Sequence, residues 1–187
     1  MPVIFPMKQF HSLIAASLVL ISAASAETCR EVVRDASGRV TQTIDHQKSS
    51  NGTVRSVIRD SSGRTIGTST SQTSGSTTRT DYRDASGRMT GSASTNGSSS
   101  GSSHTTYRDA SNRTTGTATT RTNGDTSRTD FRDASNRSTG NQTTNGSSGF
   151  AAGIRRNASG RVTGTSTGNG NCPTNPRVPG PPAGVKK

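Results

Sequence analysis

A short motif returns six times along this chain at a nearly constant interval, and that period admits only a repeat architecture. Its fullest form is Tyr82-Arg83-Asp84-Ala85-Ser86-Gly87-Arg88-Met89-Thr90-Gly91. The other copies centre on Arg34-Asp35, Arg59-Asp60, Arg108-Asp109, Arg132-Asp133 and, with Asn for Asp, Arg156-Asn157. Successive copies lie 25, 24, 25, 24 and 24 residues apart. A unit of that length is one supersecondary element, and it must bury its apolar side against its neighbours.

Turn chemistry supplies the element type. Asp-Ala-Ser-Gly, as in Asp35 to Gly38, places Asp or Asn first and Gly or Asn (Asn112, Asn136) fourth. These residues suit a type I turn followed by a residue at positive φ, the three-residue hairpin with a bulge. A second signal, Asn-Gly at 51–52, 96–97, 123–124, 145–146 and 169–170, with Ser74-Gly75 in the remaining slot, points to tight type I′ hairpins. Each repeat therefore reads strand, turn, strand, turn, with strands of about five to seven residues. Helical periodicity is missing beyond the N-terminal segment. The expected fold is all-β: roughly twelve strands in a β-meander or a β-solenoid over residues 27–172, followed by a disordered Pro/Gly-rich tail over 173–187.

The first 26 residues read as a signal peptide: one charge at Lys8, an apolar run from Leu13 to Ile21, and a small-residue cleavage site at Ala24-Ser25-Ala26. No membrane-spanning stretch follows. Beyond the leader there is no Leu and no Trp, so a conventional apolar core is out of reach. Order then rests on backbone ladders and cross-strand pairs, and a disordered polycation is the competing state. Removing the leader takes one Lys from the net charge of +12 and leaves a strongly basic chain. Such a charge favours nucleic acid, anionic polysaccharide or lipopolysaccharide. The two cysteines, Cys29 and Cys172, bracket the repeats and are expected to form a disulfide. In a straight rod their separation would forbid an intramolecular bridge, so the array must curve, its flanks must reach round, or the thiols must pair between molecules.

Recurring side chains divide by strand alternation. Asp and the Arg after the turn (Asp84 and Arg88, for instance) face each other as an ion pair. The Arg before each Asp lies on the opposite face with no recurring acid beside it. Arg34, Arg59, Arg83, Arg108, Arg132 and Arg156 would thus form a basic stripe suited to polyanions. Two residues before Asp, Val33, Ile58, Tyr82, Tyr107 and Phe131 form an apolar column. Past the turn, Thr41, Thr90, Thr115, Thr139 and Thr163, each followed by Gly except in the first copy, mark bulges or close backbone approach. His46 and His104 sit in unrelated contexts. The sequence shows no catalytic constellation, metal-ligand pattern or cofactor motif, and one carboxylate per turn is too few for calcium.

The segments Arg34-Asp35-Ala36-Ser37-Gly38-Arg39-Val40-Thr41 and Tyr82 to Thr90 resemble the tyrosine–aspartate (YD) repeats of Rhs-type bacterial surface and toxin-shell proteins. That family's unit is an aromatic–Asp dipeptide, two residues, Gly-Arg, an apolar residue and Thr, and it builds long β-hairpin sheets. Here Arg stands directly before Asp and the aromatic comes one residue earlier, which moves it to the other face. In layout alone the chain is also similar to curli-type fibre subunits. The resemblance implies an exported bacterial protein. The expected function is a structural or adhesive element at the cell surface or in the periplasm, non-enzymatic, open to self-association through unpaired end strands. An ice-binding β-solenoid, suggested by Thr115-Gly116-Thr117 and Thr163-Gly164-Thr165, is the other reading.

Overall fold

The computed structural model describes residues 27–98, 100–147 and 150–169. The expected leader, Cys172 and the tail lie outside them. Twelve antiparallel strands follow one another in six hairpins. These are β1 (Glu27–Asp35) with β2 (Val40–Lys48), β3 (Val54–Asp60) with β4 (Thr65–Ser74), and β5 (Thr77–Asp84) with β6 (Met89–Gly97). They continue as β7 (Ser102–Asp109) with β8 (Thr114–Asn123), β9 (Thr126–Asp133) with β10 (Ser138–Ser147), and β11 (Phe150–Asn157) with β12 (Val162–Asn169).

The array is neither an open meander nor a solenoid. β12 pairs with β1 through Arg30↔Asn169 to Asp35↔Gly164, closing a barrel. The reason lies in the register. Crossing the sheet at right angles to the strands, Tyr82 pairs with Gly91 and Gly91 with Asp109, two residues beyond Tyr107. The same advance runs from Phe131 through Gly140 to Asn157 and from Arg155 through Gly164 to Asp35. Two residues for each of six repeats make a shear of twelve across twelve strands. Equal shear and strand number give a tilt of roughly 36°, as in eight-stranded barrels of shear eight. A constant stagger in one sense coils the ribbon until its ends meet. Closure also abolishes both sheet edges, so the expected assembly through unpaired end strands loses its basis.

Each motif turn is followed by the expected bulge, for example between Val33 and Arg34 against Val40 and Gln42. Threonine hydroxyls steady two of these bulges, Thr41 donating to the Val33 carbonyl at 3.3 Å and Thr163 to the Arg155 carbonyl at 3.4 Å. The glycine after the bulge answers a steric demand. A Cβ on Gly67, Gly116 or Gly164 would stand 2.5–2.8 Å from a carbonyl oxygen of the neighbouring repeat. On its other side each glycine faces a large inward residue: Ile58 over Gly67, Tyr82 over Gly91, Tyr107 over Gly116, Phe131 over Gly140. The apolar column is therefore internal, with Phe131 7% exposed.

Small side chains fill the rest of the interior. Ala118 is 1% exposed and Ala93 3%, each flanked by a ring on the neighbouring strand, Phe131 beside Ala118 and Tyr107 beside Ala93. Buried hydroxyls pair across strands: Ser71 with Thr80, Thr95 with Thr105, and Thr120 with Thr129, all at 2.8 Å. Pairing is what makes a Ser/Thr interior tolerable, because an orphan buried hydroxyl would cost about 1–3 kcal/mol. This is how a repeat region without Leu or Trp holds a core.

The Asn-Gly turns depart from expectation. Type I′ needs positive φ at both central residues. Here Gly75 (59°) and Gly124 (54°) are the first of two central residues, and neither Ser76 nor Asp125 has positive φ. Asn51-Gly52 instead closes a turn of the motif's own kind, with Gly52 N–H donating to the Ser49 carbonyl. Asn96-Gly97 and Asn145-Gly146 lie inside β6 and β10. There Thr77 and Thr126 donate to Asn96 and Asn145 at 2.8 and 3.0 Å.

Candidate anion-binding rim

Because every hairpin points the same way, all six motif turns gather at one end of the barrel. Each is built identically. The carboxylate of Asp35 accepts the Ser37 and Arg39 backbone N–H groups at 2.8 and 3.0 Å, and the other five copies repeat this within 2.9–3.1 Å. The fourth position takes positive φ, 78–81° at glycine and 63–64° at Asn112 and Asn136. Asn157 performs the Asp role with an amide oxygen, so the turn needs an acceptor rather than a charge.

This geometry corrects the expected ion pair across the turn. Among the five Asp-containing turns it is found as Arg64–Asp60, at 3.7 Å. The carboxylates are held by backbone instead, and the arginines after the turn (Arg39, Arg64, Arg88, Arg113, Arg137, Arg161) extend into solvent.

The arginines before the turn do a definite job. Arg34, Arg59, Arg83, Arg108, Arg132 and Arg156 each donate Nη1 to the carbonyl of the fourth turn residue, at 2.8–3.3 Å. One N–H of five is committed in that bond, and the guanidinium is held in place with further donors available. All but the half-buried Arg59 are exposed. Arg59 also approaches Asp45, which Arg30 holds at 2.6 Å, and Arg30 keeps that carboxyl below its usual range. Successive copies sit two strands and two residues apart, a separation of about 12 Å.

The rim thus carries twelve arginines against five aspartates. Among the described residues, the turns at the opposite end contribute Asp125, with Lys48 and Glu27 paired at 3.2 Å nearby. The expected stripe is in fact a ring.

Three groupings escaped the motif reading. Inside the barrel, His46 Nδ1 lies 2.8 Å from Ser56 Oγ and its Nε2 lies 3.7 Å from Glu31; the third to fifth repeats carry Thr in the places of His46 and Glu31. Burial lowers the His46 pKa. In the sixth copy Arg155 takes the inward aromatic position, its pKa lowered by burial near Tyr107. On the outer wall Arg79–Asp81 and Arg128–Asp130 form matching pairs at 3.2 and 3.0 Å. A second period of 49 residues, visible in Arg79-Thr80-Asp81-Tyr82 and Arg128-Thr129-Asp130-Phe131, is the signal that marks the last grouping.

Cys29 is 7% exposed beside His46 on the inner face. No free cysteine occurs among the described residues. No group of metal-ligating side chains is found among them, and no helix is long and apolar enough to cross a membrane. Comparison with protein-family models, curated proteins and solved structures returned no match.

Proposed function

We propose that this chain is an exported, non-enzymatic β-barrel that binds anionic polymers at its arginine-lined rim. The observation that carries the reading is the gathering of twelve arginines at one end, six of them held by their own turns. Pre-organised guanidinium groups lose less side-chain freedom on meeting carboxylate, sulfate or phosphate. The outer wall carries charges at mid-height (Arg30, Asp45, Arg79, Asp81), which suits water and is the reverse of the apolar outer band of a lipid-facing barrel. Arginines opposite the outer threonines, such as Arg83 beside Thr68 and Arg132 beside Thr117, interrupt the flat Thr array that an ice-binding surface would use.

The disulfide belongs to the same reading. Closure brings the two ends of the repeat region together, since Arg30 pairs with Asn169. Cys172 follows Asn169 by three residues, so a Cys29–Cys172 bridge would lock the seam in a monomer. Faster migration of the unreduced denatured monomer checks it; a disulfide-linked dimer would refute it.

The test of function replaces the six arginines after the turns with Gln, since these make no turn clamp. Wild-type protein is expected to bind immobilised heparin and to elute with rising salt. The variant should keep its β spectrum and elute at much lower salt. Failure of wild-type protein to bind heparin, polygalacturonate or polyphosphate at low salt would remove the proposal.

A further inference from the structure

The outer wall holds a second feature that the turns do not explain. On β4 and β5, Thr68 stands opposite Arg83, Thr70 opposite Asp81, and Gln72 opposite Arg79, all facing outward. Thr70, Gln72, Arg79, Asp81 and Arg83 line a cleft of about 200 Å³. That is below the usual range for drug-sized ligands and fits a single small unit. On β8 and β9 the pattern returns: Thr117 opposite Arg132, Thr119 opposite Asp130, Arg121 opposite Arg128. In each copy a half-exposed carboxylate lies between two arginines two residues away on the same strand.

The fold does not require these carboxylates. The equivalent positions of the other four repeats carry Val32, Val57, Thr106 and Ile154, and their hairpins close the same barrel. A carboxylate amid arginines is also a poor choice for a pure polyanion surface, because it repels phosphate and cancels charge. It does accept hydroxyl groups. Two arginines with one such acceptor and a threonine hydroxyl match a unit that bears both an acidic group and neighbouring hydroxyls. Nucleic acid fits less well, since Tyr82, Tyr107 and Phe131, the aromatic residues of this motif, face inward and offer bases no platform.

We propose that the β4–β5 cleft and the matching side-chain set on β8 and β9 each bind one uronic acid unit, making acidic polysaccharide the polymer that the rim recognises. This rests on the rim reading, and Arg83 and Arg132 belong to both features. A chain could run from the rim along the wall over either site.

The test changes Asp81→Thr and Asp130→Thr together, using the residue that the fourth repeat already has there. The variant loses two negative charges, so simple attraction should make every polyanion bind more tightly. The proposal expects the opposite for one class. The Kd for polygalacturonate, measured by calorimetry, should weaken by about tenfold, the scale of one lost charge-assisted hydrogen bond. The Kd for inorganic polyphosphate should stay the same or tighten. Asp81→Asn with Asp130→Asn, which keeps an acceptor oxygen, should recover part of the lost affinity at the variant's own net charge. If both polymers tighten on the Thr variant, neither wall site binds sugar and the rim reading stands. If wild-type protein binds neither polymer, both readings fall.

Discussion

The two rims of this barrel are made from the same ribbon yet obey different rules. At one end six turns share one hydrogen-bond scheme, each with an Asp or Asn cap, a residue at positive φ and an arginine clamp. At the other, the turn at 49–53 is of the motif's own kind, while those at 74–77 and 123–126 are two-residue turns with positive φ at Gly75 and Gly124. Repetition at the first rim serves closure, because each glycine after a bulge lets the next repeat's backbone come close. Among the described residues the second rim's approach is looser: a Cβ on Gly101 would stand 3.1 Å from the Thr122 carbonyl oxygen, and one on Gly97 3.5 Å from that of Ser76. Uniform turns also line up uniform side chains, so the ring of arginines follows from the requirement for closure.

The sharpest way to break this contrast is one methyl group placed at either end. Gly116→Ala puts a Cβ 2.5 Å from the Arg132 carbonyl oxygen, where only backbone can give way. Gly146→Ala meets its nearest atom, the Asp125 carbonyl oxygen, at 3.9 Å. We expect roughly 3 kcal/mol of destabilisation for the first and under about 0.5 for the second, read from urea midpoints. Equal midpoints would mean that close approach is not what shapes the barrel.

Next in size is the cap. Asp109→Ala removes the acceptor for two backbone N–H groups and should cost about 1–2 kcal/mol, whereas Asp109→Asn should be nearly silent, as Asn157 already demonstrates. Asp125→Ala, at the other rim, should change little. A large loss for Asp109→Asn would restore the ion pair to importance.

Protonation separates the repeats in a third way. His46 sits where the third hairpin has Thr95, each opposite a buried hydroxyl residue of the next strand (Ser56 and Thr105). Burial depresses the His46 pKa below 6.5, the raising effect of Asp45 notwithstanding. The folded state then binds this proton less readily than the unfolded chain. The stability involved is fully present above about pH 6.5 and is lost as pH falls from there toward the lower folded pKa. Wild-type protein should melt at lower temperature at pH 5 than at pH 7.5, and His46→Thr should flatten that difference. An unchanged slope in the variant would assign the acid sensitivity elsewhere.

Much of this was legible from residue order. The Asp-Ala-Ser-Gly turns, the bulge before glycine and the inward column of Ile58, Tyr82 and Phe131 follow from turn chemistry and alternation alone. Closure was not, because it depends on a two-residue stagger between repeats, and stagger belongs to the pairing of strands rather than to any one of them. The placement of Arg83 opposite to Asp84 was readable. Its bond to the Gly87 carbonyl was not, since alternation assigns a face and says nothing of what lies in reach. Asn-Gly misled because Asn96 and Asn145 serve as cross-strand acceptors for threonines, a use of Asn that the dipeptide signal does not distinguish.

The smallest predicted effect concerns the column itself. The Tyr107 hydroxyl is buried and has no hydrogen-bond partner among the described residues, and its burial pushes the pKa well above the ordinary tyrosine value. The fifth repeat carries Phe131 at the same position, opposite Gly140 as Tyr107 is opposite Gly116. Tyr107→Phe should therefore raise stability by about 1 kcal/mol, the scale of an unmet buried hydroxyl, visible as a higher urea midpoint with unchanged slope. The reverse change, Phe131→Tyr, should lower it by a similar amount. A loss on Tyr107→Phe would show that the hydroxyl works inside the barrel, with Arg155 the nearest candidate for its partner, since burial near Tyr107 already perturbs that guanidinium.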